Sequence, residues 1–500
     1  MTTDVPARAD DGLALRSGVG RIALTAAIGA SAMAMLDATV VNVALPHIGN
    51  DFGVGVADLQ WVLTGYLLAL ASLILLGGAL GDRYGRRRIF LVGTLWFAGA
   101  SLLCGLAPGI EVLVIARVLQ GVGGALLTPG SLAIIQASFR EHDRAPAVGA
   151  WSGLGGIAGA LGPFVGGVLV DGPGWRWAFL VNVPVAVLVV ACTIRAIPES
   201  RDPDAPRLDV LGALIAVVAL AGSTWALTES GTRGWSDPAV VGAGIVAVGA
   251  GAGFVVRMLR ARNPLVPPSL FADRTFTVTN GATFLLYGAL GVTFFLVAYE
   301  LQVAAGWSAL AAGVALLPVT VLMLVMSAWS GALAQRIGPR IQLTIGPLLA
   351  AAGLVLLSRI GPDANWLRDV LPGALVFGAG LVTFVAPLTA TVMAAADQRH
   401  VSVASGVNNA IARAASLTAL AVSPAAAGLA DAAGPSEVTA AVRNALLIAA
   451  VLAAAAGLGC LVGLAPKPRA RRSLRPVTCA VDGTPLEPDP ERCPATAGVR

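Results

Sequence analysis

The chain alternates between long, continuously apolar runs and short polar connectors. Fourteen such runs can be counted, at 22–46, 59–80, 89–107, 110–135, 147–170, 176–197, 210–227, 239–258, 276–299, 309–334, 341–358, 370–393, 402–430 and 442–465. Each approaches the roughly 20 residues that an α-helix needs to cross the hydrocarbon core of a bilayer. The runs lack the apolar–polar alternation of barrel strands, so transmembrane helices are predicted and not a barrel. The first run continues from Ile22 to Pro46, well past the apolar core of a secretory signal. It is therefore read as an uncleaved span preceded by a polar, unstructured tail.

Composition agrees with that pattern. Only 12% of residues are charged and the mean hydropathy is +0.80, values that a water-soluble surface cannot accommodate. The charges that do occur are sorted. If the first run enters from the cytoplasm, 26 of the 33 Lys and Arg fall in cytoplasmic connectors and tails. Arg176, Arg233, Arg359, Arg368 and Arg443 fall outside, and Arg117 and Arg413 lie within runs. This is the bias that sets membrane orientation, and it puts both termini in the cytoplasm. The net charge of +5 thus reports topology, not binding to nucleic acid. A single lysine, Lys467, stands against 32 arginines, and with the abundance of Ala, Gly and Val this suggests a GC-rich bacterial genome. The expected location is a bacterial cytoplasmic membrane.

Several function classes are disfavoured. A phosphate loop needs Gly-Lys-Ser/Thr, but Lys467 stands between Pro466 and Pro468. His47, His142 and His400 are far apart and outside the runs, and the five cysteines show neither metal spacing nor a disulfide framework. No enzyme activity, metal or cofactor is expected.

Two charged hinges have nearly the same spelling. Gly78-Ala-Leu-Gly-Asp-Arg-Tyr-Gly-Arg-Arg and Gly331-Ala-Leu-Ala-Gln-Arg-Ile-Gly-Pro-Arg share six residues in ten at an offset of 253. If the seventh and eighth runs are an insertion, each copy joins the second and third helices of a six-helix half. Repeated halves with a site between them near the bilayer midplane are a common transporter plan. Domain limits follow: a tail 1–20, a bundle 21–197, two additional helices with linkers 198–260, a bundle 261–465 and a tail 466–500.

The first hinge reads G-x-L-x-D-R-x-G-R-R, and at this point the chain resembles the major facilitator superfamily and, within it, the fourteen-spanner drug:proton antiporters of family 2. Four further stretches carry the likeness: "LDATVVNVALP" (36–46), "LVIARVLQGVGGA" (113–125), "GAWSGLGGIAGALGPFVGG" (149–167) and "WRWAFLVNVP" (175–184). Together they span roughly residues 20 to 465. The resemblance implies an all-α membrane protein of the major facilitator fold, with two pseudo-symmetric six-helix bundles plus two extra transmembrane helices. It also implies a monomer that exports small hydrophobic or cationic drug-like compounds across the lipid bilayer in exchange for protons. A proton-coupled symporter importing a small organic solute is the alternative. The third stretch, with Gly159, Gly162, Pro163, Gly166 and Gly167, is the glycine-proline signature associated with antiporters. The hinge residues Gly78, Asp82, Arg83, Gly85, Arg86 and Arg87 are expected to gate.

Ionisable groups inside a span are costly and are read as functional by default. Asp37 lies about 24 Å from the cytoplasmic face at 1.5 Å rise per residue, and Arg117 about 12 Å from the other face. The two depths overlap, and the resemblance implies that spans 1 and 4 lie beside the central cavity, so a vestibule shared by Asp37 and Arg117 is expected. Burial disfavours a carboxylate and a neighbouring guanidinium favours it. Opening the vestibule would alter that balance and let Asp37 load and release a proton, with Arg117 as a fixed tuning charge. A permanent ion pair joining two helices is the structural alternative. Asn42, Tyr66, Gln120, Glu300 and Arg413 are candidate substrate contacts, with helix packing as the competing role and, for Glu300 at the outer end of its span, a place at the membrane interface.

Overall fold

The computed structural model describes residues 12–201, 209–261, 264–395, 401–429 and 434–465. The expected C-terminal tail, 466–500, lies outside them. Every long apolar run begins or continues a helix. In chain order these are α1 (Gly18–Phe52), α2 (Val56–Tyr84), α3 (Arg86–Gly105), α4 (Ile110–Ser138), α5 (Glu141–Asp171), the short α6 (Trp177–Leu180) and α7 (Asn182–Ala196). Then follow α8 (Val210–Arg233), α9 (Pro238–Arg260), α10 (Arg274–Val303), α11 (Ala309–Ala315) and α12 (Leu317–Ile337). The last four are α13 (Pro339–Leu357), α14 (Leu371–Ala394), α15 (Val401–Ala426) and α16 (Pro435–Gly463). Among the described residues, twelve helices are long and apolar enough to cross a membrane, counting α6–α7 and α11–α12 as one each. Helices α5 and α15, at the expected fifth and thirteenth spans, are not among those twelve.

Two sequence expectations are corrected. The first span does not stop at Pro46. It runs on to Phe52 and ends at Gly53, whose φ of 66° suits a left-handed cap. Proline removes one backbone hydrogen bond, but Pro46 is buried and the helix continues through it. The N-terminal tail is also not unstructured over its described part. Leu13 pairs with Phe139, the Leu15 amide donates to Asp143 Oδ2 at 2.9 Å, and Ser17 caps α1 by accepting from Gly20. The apolar side chains of Leu13 and Leu15 pack on the core of the first half, which explains why this polar-looking segment is docked.

The turn between α2 and α3, and its repeat between α12 and α13, mark one end of the molecule, called here the hinge end. Gly85 has φ 114° and Gly338 has φ 87°, so both copies keep glycine where L side chains are strained. Equivalent arginines then do the same job in each half. Arg87 donates to Ile194 O at 3.0 Å near the end of α7, and Arg340 donates to Leu461 O at 2.6 Å near the end of α16. The internal repeat therefore extends to side-chain contacts.

Between the halves, α1 packs on α10, α2 on α15 and α5 on α11. Three hydrogen-bonded links join them at the end opposite the hinges, called the far end. Gln60 Nε2 donates to Leu420 O (3.0 Å), Gln302 Nε2 to Val43 O (3.2 Å), and the Asp171 carboxylate accepts from the Ala309 and Leu310 amides (3.2 and 2.8 Å). One apolar cluster is continuous across this end, while a second fills the hinge-end part of the first half. Helix α8 packs on both α2 and α15, with Trp61 donating to Glu229 at 3.3 Å, and α9 packs on α8. An ion pair of 2.8 Å between Arg257 and Asp209 ties that hairpin together.

Gly85→Ala is expected to destabilise the folded protein by about 1–3 kcal/mol, the usual cost of holding a non-glycine residue in such a conformation. The added Cβ would also meet Glu199, which caps α3. A thermal melt in detergent reads this as a lowered midpoint; an unchanged midpoint would mean that the hinge glycine is dispensable.

Candidate functional site

Helix α1 buries a stripe at Ala23, Ala27, Ala30, Ala34, Asp37, Val41, Ala44 and Ile48, spaced by three or four residues. Asp37 is the one charge on that stripe. Its side chain has no exposed surface, and neither has that of Arg117 on α4. Their contact is direct: Arg117 Nη1 donates to Asp37 Oδ2 at 2.6 Å. The other carboxylate oxygen, Oδ1, accepts from Gln120 Nε2 at 2.7 Å and from Asn182 Nδ2 at 3.1 Å. Gln120 lies one turn beyond Arg117 on the same face of α4. Its Nε2 also donates to Ser101 Oγ at 2.8 Å, and its Oε1 accepts from Arg117 Nη1.

The guanidinium is held as carefully as the acid. Its Nε donates to Val62 O at 2.9 Å, and its plane lies 4.3 Å from the Tyr66 ring centroid and 5.7 Å from that of Phe179. Five helices of the first half (α1, α2, α3, α4 and α7) thus contribute to one dry polar network. Coulomb attraction in such a setting is strong, but so is the desolvation cost, and removing one partner of a buried pair typically costs about 3–5 kcal/mol. What keeps the network from being mere glue is that it is not saturated: Arg117 Nη2 has no acceptor among the described residues.

The expected vestibule is closed here. No solvent reaches the pair, which the helices of the first half enclose. The glycine-proline stretch of α5 packs instead against the other side of α1 and against the second half. On α5, Gly162 and Gly166 sit so close to α1 that an added Cβ would meet Thr39 Oγ1 at 1.8 Å and Val40 Cα at 3.1 Å. Gly159 lies more loosely, 3.7 Å from Met35 Cβ by the same measure. On the face turned to the other half, Gly167 would meet Leu310 Cα at 2.4 Å, and Gly313 of α11 would meet the Pro163 carbonyl oxygen at 2.2 Å. Helix α5 runs unbroken through Pro163.

The remaining candidates are scattered. Asn42 lines a cavity of about 20 Å³ with Thr39, Pro163, Phe294 and Ala298, where the halves meet. Tyr66 is buried against Arg117, its hydroxyl 3.5 Å from Ala34 O. Glu300 is buried, but it does not face the seam. Ala298 and Gln302 of α10 look towards α1, and Glu300, half a turn from each, points to α16, where Thr439 donates to its Oε1. Arg413 is half-buried at the middle of α15.

At the hinge, Asp82 pairs with Arg86 at 2.8 Å within its own turn. The Arg86 amide donates to Ser200 O, and the Arg87 and Arg88 amides donate to Glu199. Gly78 packs on Pro129, and Arg83 lies 5.8 Å from the Tyr84 ring. Ser101, Asn182, Asp171 and Glu199 were not among the sequence candidates. Asn182 carried a signal, as a polar residue inside the apolar "WRWAFLVNVP".

Residues 27–420 match the Major Facilitator Superfamily. The chain belongs to that superfamily. It is accordingly a transporter and not an enzyme. Methylenomycin A resistance protein of Bacillus subtilis (strain 168) is 36% identical over 382 residues, covering 76% of this chain and 81% of the relative. Tetracenomycin C resistance and export protein of Streptomyces glaucescens is 36% identical over 379 residues, covering 75% and 70%. Among solved structures, a D-xylose-proton symporter superposes with a TM-score of 0.65 at 16% identity, covering 90% of this chain and 99% of the other. That last likeness bears on the fold alone. In a superfamily member, the buried Asp37–Arg117 network within one half and the glycine-packed seam between halves are the features on which transport chemistry can act.

Proposed function

We propose that this chain is a proton-coupled exporter of hydrophobic, drug-like or antibiotic compounds, of the fourteen-spanner drug:proton antiporter family 2. On this reading α5 and α15 complete a set of fourteen spans, and α8–α9 are the two extra helices. The arginine bias sets the hinge end and both termini in the cytoplasm of a bacterial cell, so the glycine-packed far end faces outward. The relatives named for resistance and export support the direction of transport, and the antiporter signature on α5 speaks against symport.

The observation that carries the coupling is the Asp37 carboxylate shared between Arg117, Gln120 and Asn182. A proton arriving on Asp37 removes its charge from the ion pair and weakens three hydrogen bonds at once. Helices α1, α4 and α7 are then free to repack, and loss of the proton on the opposite side restores the network. Inward movement of one charge across 100 mV supplies about 2.3 kcal/mol. No cofactor takes part, and the gradient is the energy source. Drug-efflux profiling in a pump-deficient bacterial host tests the reading. Expression is expected to lower accumulation of at least one hydrophobic antibiotic, and addition of a protonophore to restore it. Unchanged accumulation across the panel, or efflux indifferent to the protonophore, would overturn it.

A further inference from the structure

Arg117 and Arg413 each stand well inside a long apolar helix, and they are treated differently. Arg117 is neutralised by Asp37 at 2.6 Å. Arg413 makes no hydrogen bond and no ion pair among the described residues. An arginine in hydrocarbon is expensive, so one without a partner calls for a use.

Its position points to that use. Helices α2 and α15 run antiparallel along the seam, with Gln60 bonded to Leu420 towards the far end and Gly406 packed against Leu75 towards the hinge end. Arg413 lies halfway between Gly406 and Leu420, opposite the turn around Tyr66. Seven residues, about two helical turns, separate it from each, so all three share the face of α15 that packs on α2. The neighbouring face of α15 is already committed to α10: Asn408 donates to Asn280 and Thr283, and Ser416 to Tyr287 O. The guanidinium is therefore the charged group left over at the inter-half face. Neither Asp37 nor Glu300 balances it: Asp37 is held in its own network, and Glu300 points to Thr439 on the far side of α10.

We propose that Arg413 is the anchor for an acidic group of the substrate, so that the compounds handled best are amphiphilic organic acids. A planar fork of N–H donors matches a carboxylate in a bidentate pair, and the apolar helices around it suit an apolar body. The same positive charge opposes a cationic substrate at that depth. Export of an anion also moves charge in the direction that an inside-negative potential favours, which a cation exchanged for a proton would not. This narrows the substrate class of the exporter proposed above and rests on that reading, but its test does not require transport.

Purified full-length protein in nanodiscs is titrated with 1-pyrenebutyrate and with its methyl ester near neutral pH, with empty discs subtracted. The wild type is expected to bind the acid about tenfold more tightly than the ester. Arg413→Gln should lose that preference while binding the ester unchanged, which also shows that the variant is folded. Arg413→Lys should keep part of it. Acid binding no tighter than the ester, including no binding of either, would overturn the proposal, as would a preference that survives Arg413→Gln. A negative efflux profile beside a positive result here would instead count against export.

Discussion

Asp37→Asn is expected to reduce gradient-driven efflux to the level of a host without the protein, while substrate exchange down its own gradient persists. Asparagine keeps the size of the side chain and one acceptor oxygen, so the contacts from Gln120, Asn182 and Arg117 can be partly retained. What it cannot do is carry a proton. The cost falls on Arg117, left without a counter-ion but still held by Val62 O, Gln120 and the Tyr66 ring. Losing one member of a buried pair costs about 3–5 kcal/mol, so a lower melting temperature should accompany the loss of coupling. The two effects are separable. Retained downhill exchange identifies a folded, uncoupled protein, whereas uphill efflux at wild-type rates would place the coupling site elsewhere.

The second large effect is expected at the seam. Gly313→Leu would force a side chain where a bare Cβ already meets the Pro163 carbonyl oxygen at 2.2 Å. Backbone cannot give way as a flexible side-chain tip can, and overpacking of this kind costs about 1–3 kcal/mol. The closed far end bears all of that strain, because α5 and α11 touch there. One to three kcal/mol shifts a two-state equilibrium by about 5- to 150-fold. The Asp171 carboxylate, which accepts from the Ala309 and Leu310 amides, would be pulled from the start of α11 at the same time. A cysteine placed at Asn42 in a cysteine-free background should then react with a membrane-impermeant maleimide about fivefold or more faster. An unaltered rate would mean that this packing does not hold the far end shut.

Much of the fold was legible because a bilayer leaves few choices. Each apolar run had to become a helix, and the repeat of Gly85 at Gly338 fixed how two halves relate. The Asp37–Arg117 meeting was legible too, since rise per residue gives depth and the family resemblance sets spans 1 and 4 side by side. Direction around a helix was not. Glu300 lies at the expected depth yet points to Thr439, because a two-residue step turns a side chain by about half the circumference. Asn182 and Ser101 were missed for another reason. Polar residues in spans often bond their own backbone, as Thr94 does to Phe90 O and Thr193 to Val189 O, so a polar letter alone does not reveal a network. Pro46 and the docked Leu13–Leu15 segment show tertiary packing overriding a local rule.

The central claim is that Asp37 carries the proton exchanged for substrate. The direct measurement is proton release when a transported compound is added to the purified protein in weakly buffered detergent. Release of about one proton per bound substrate is expected from the wild type and none from Asp37→Asn. Equal release from the variant would contradict it.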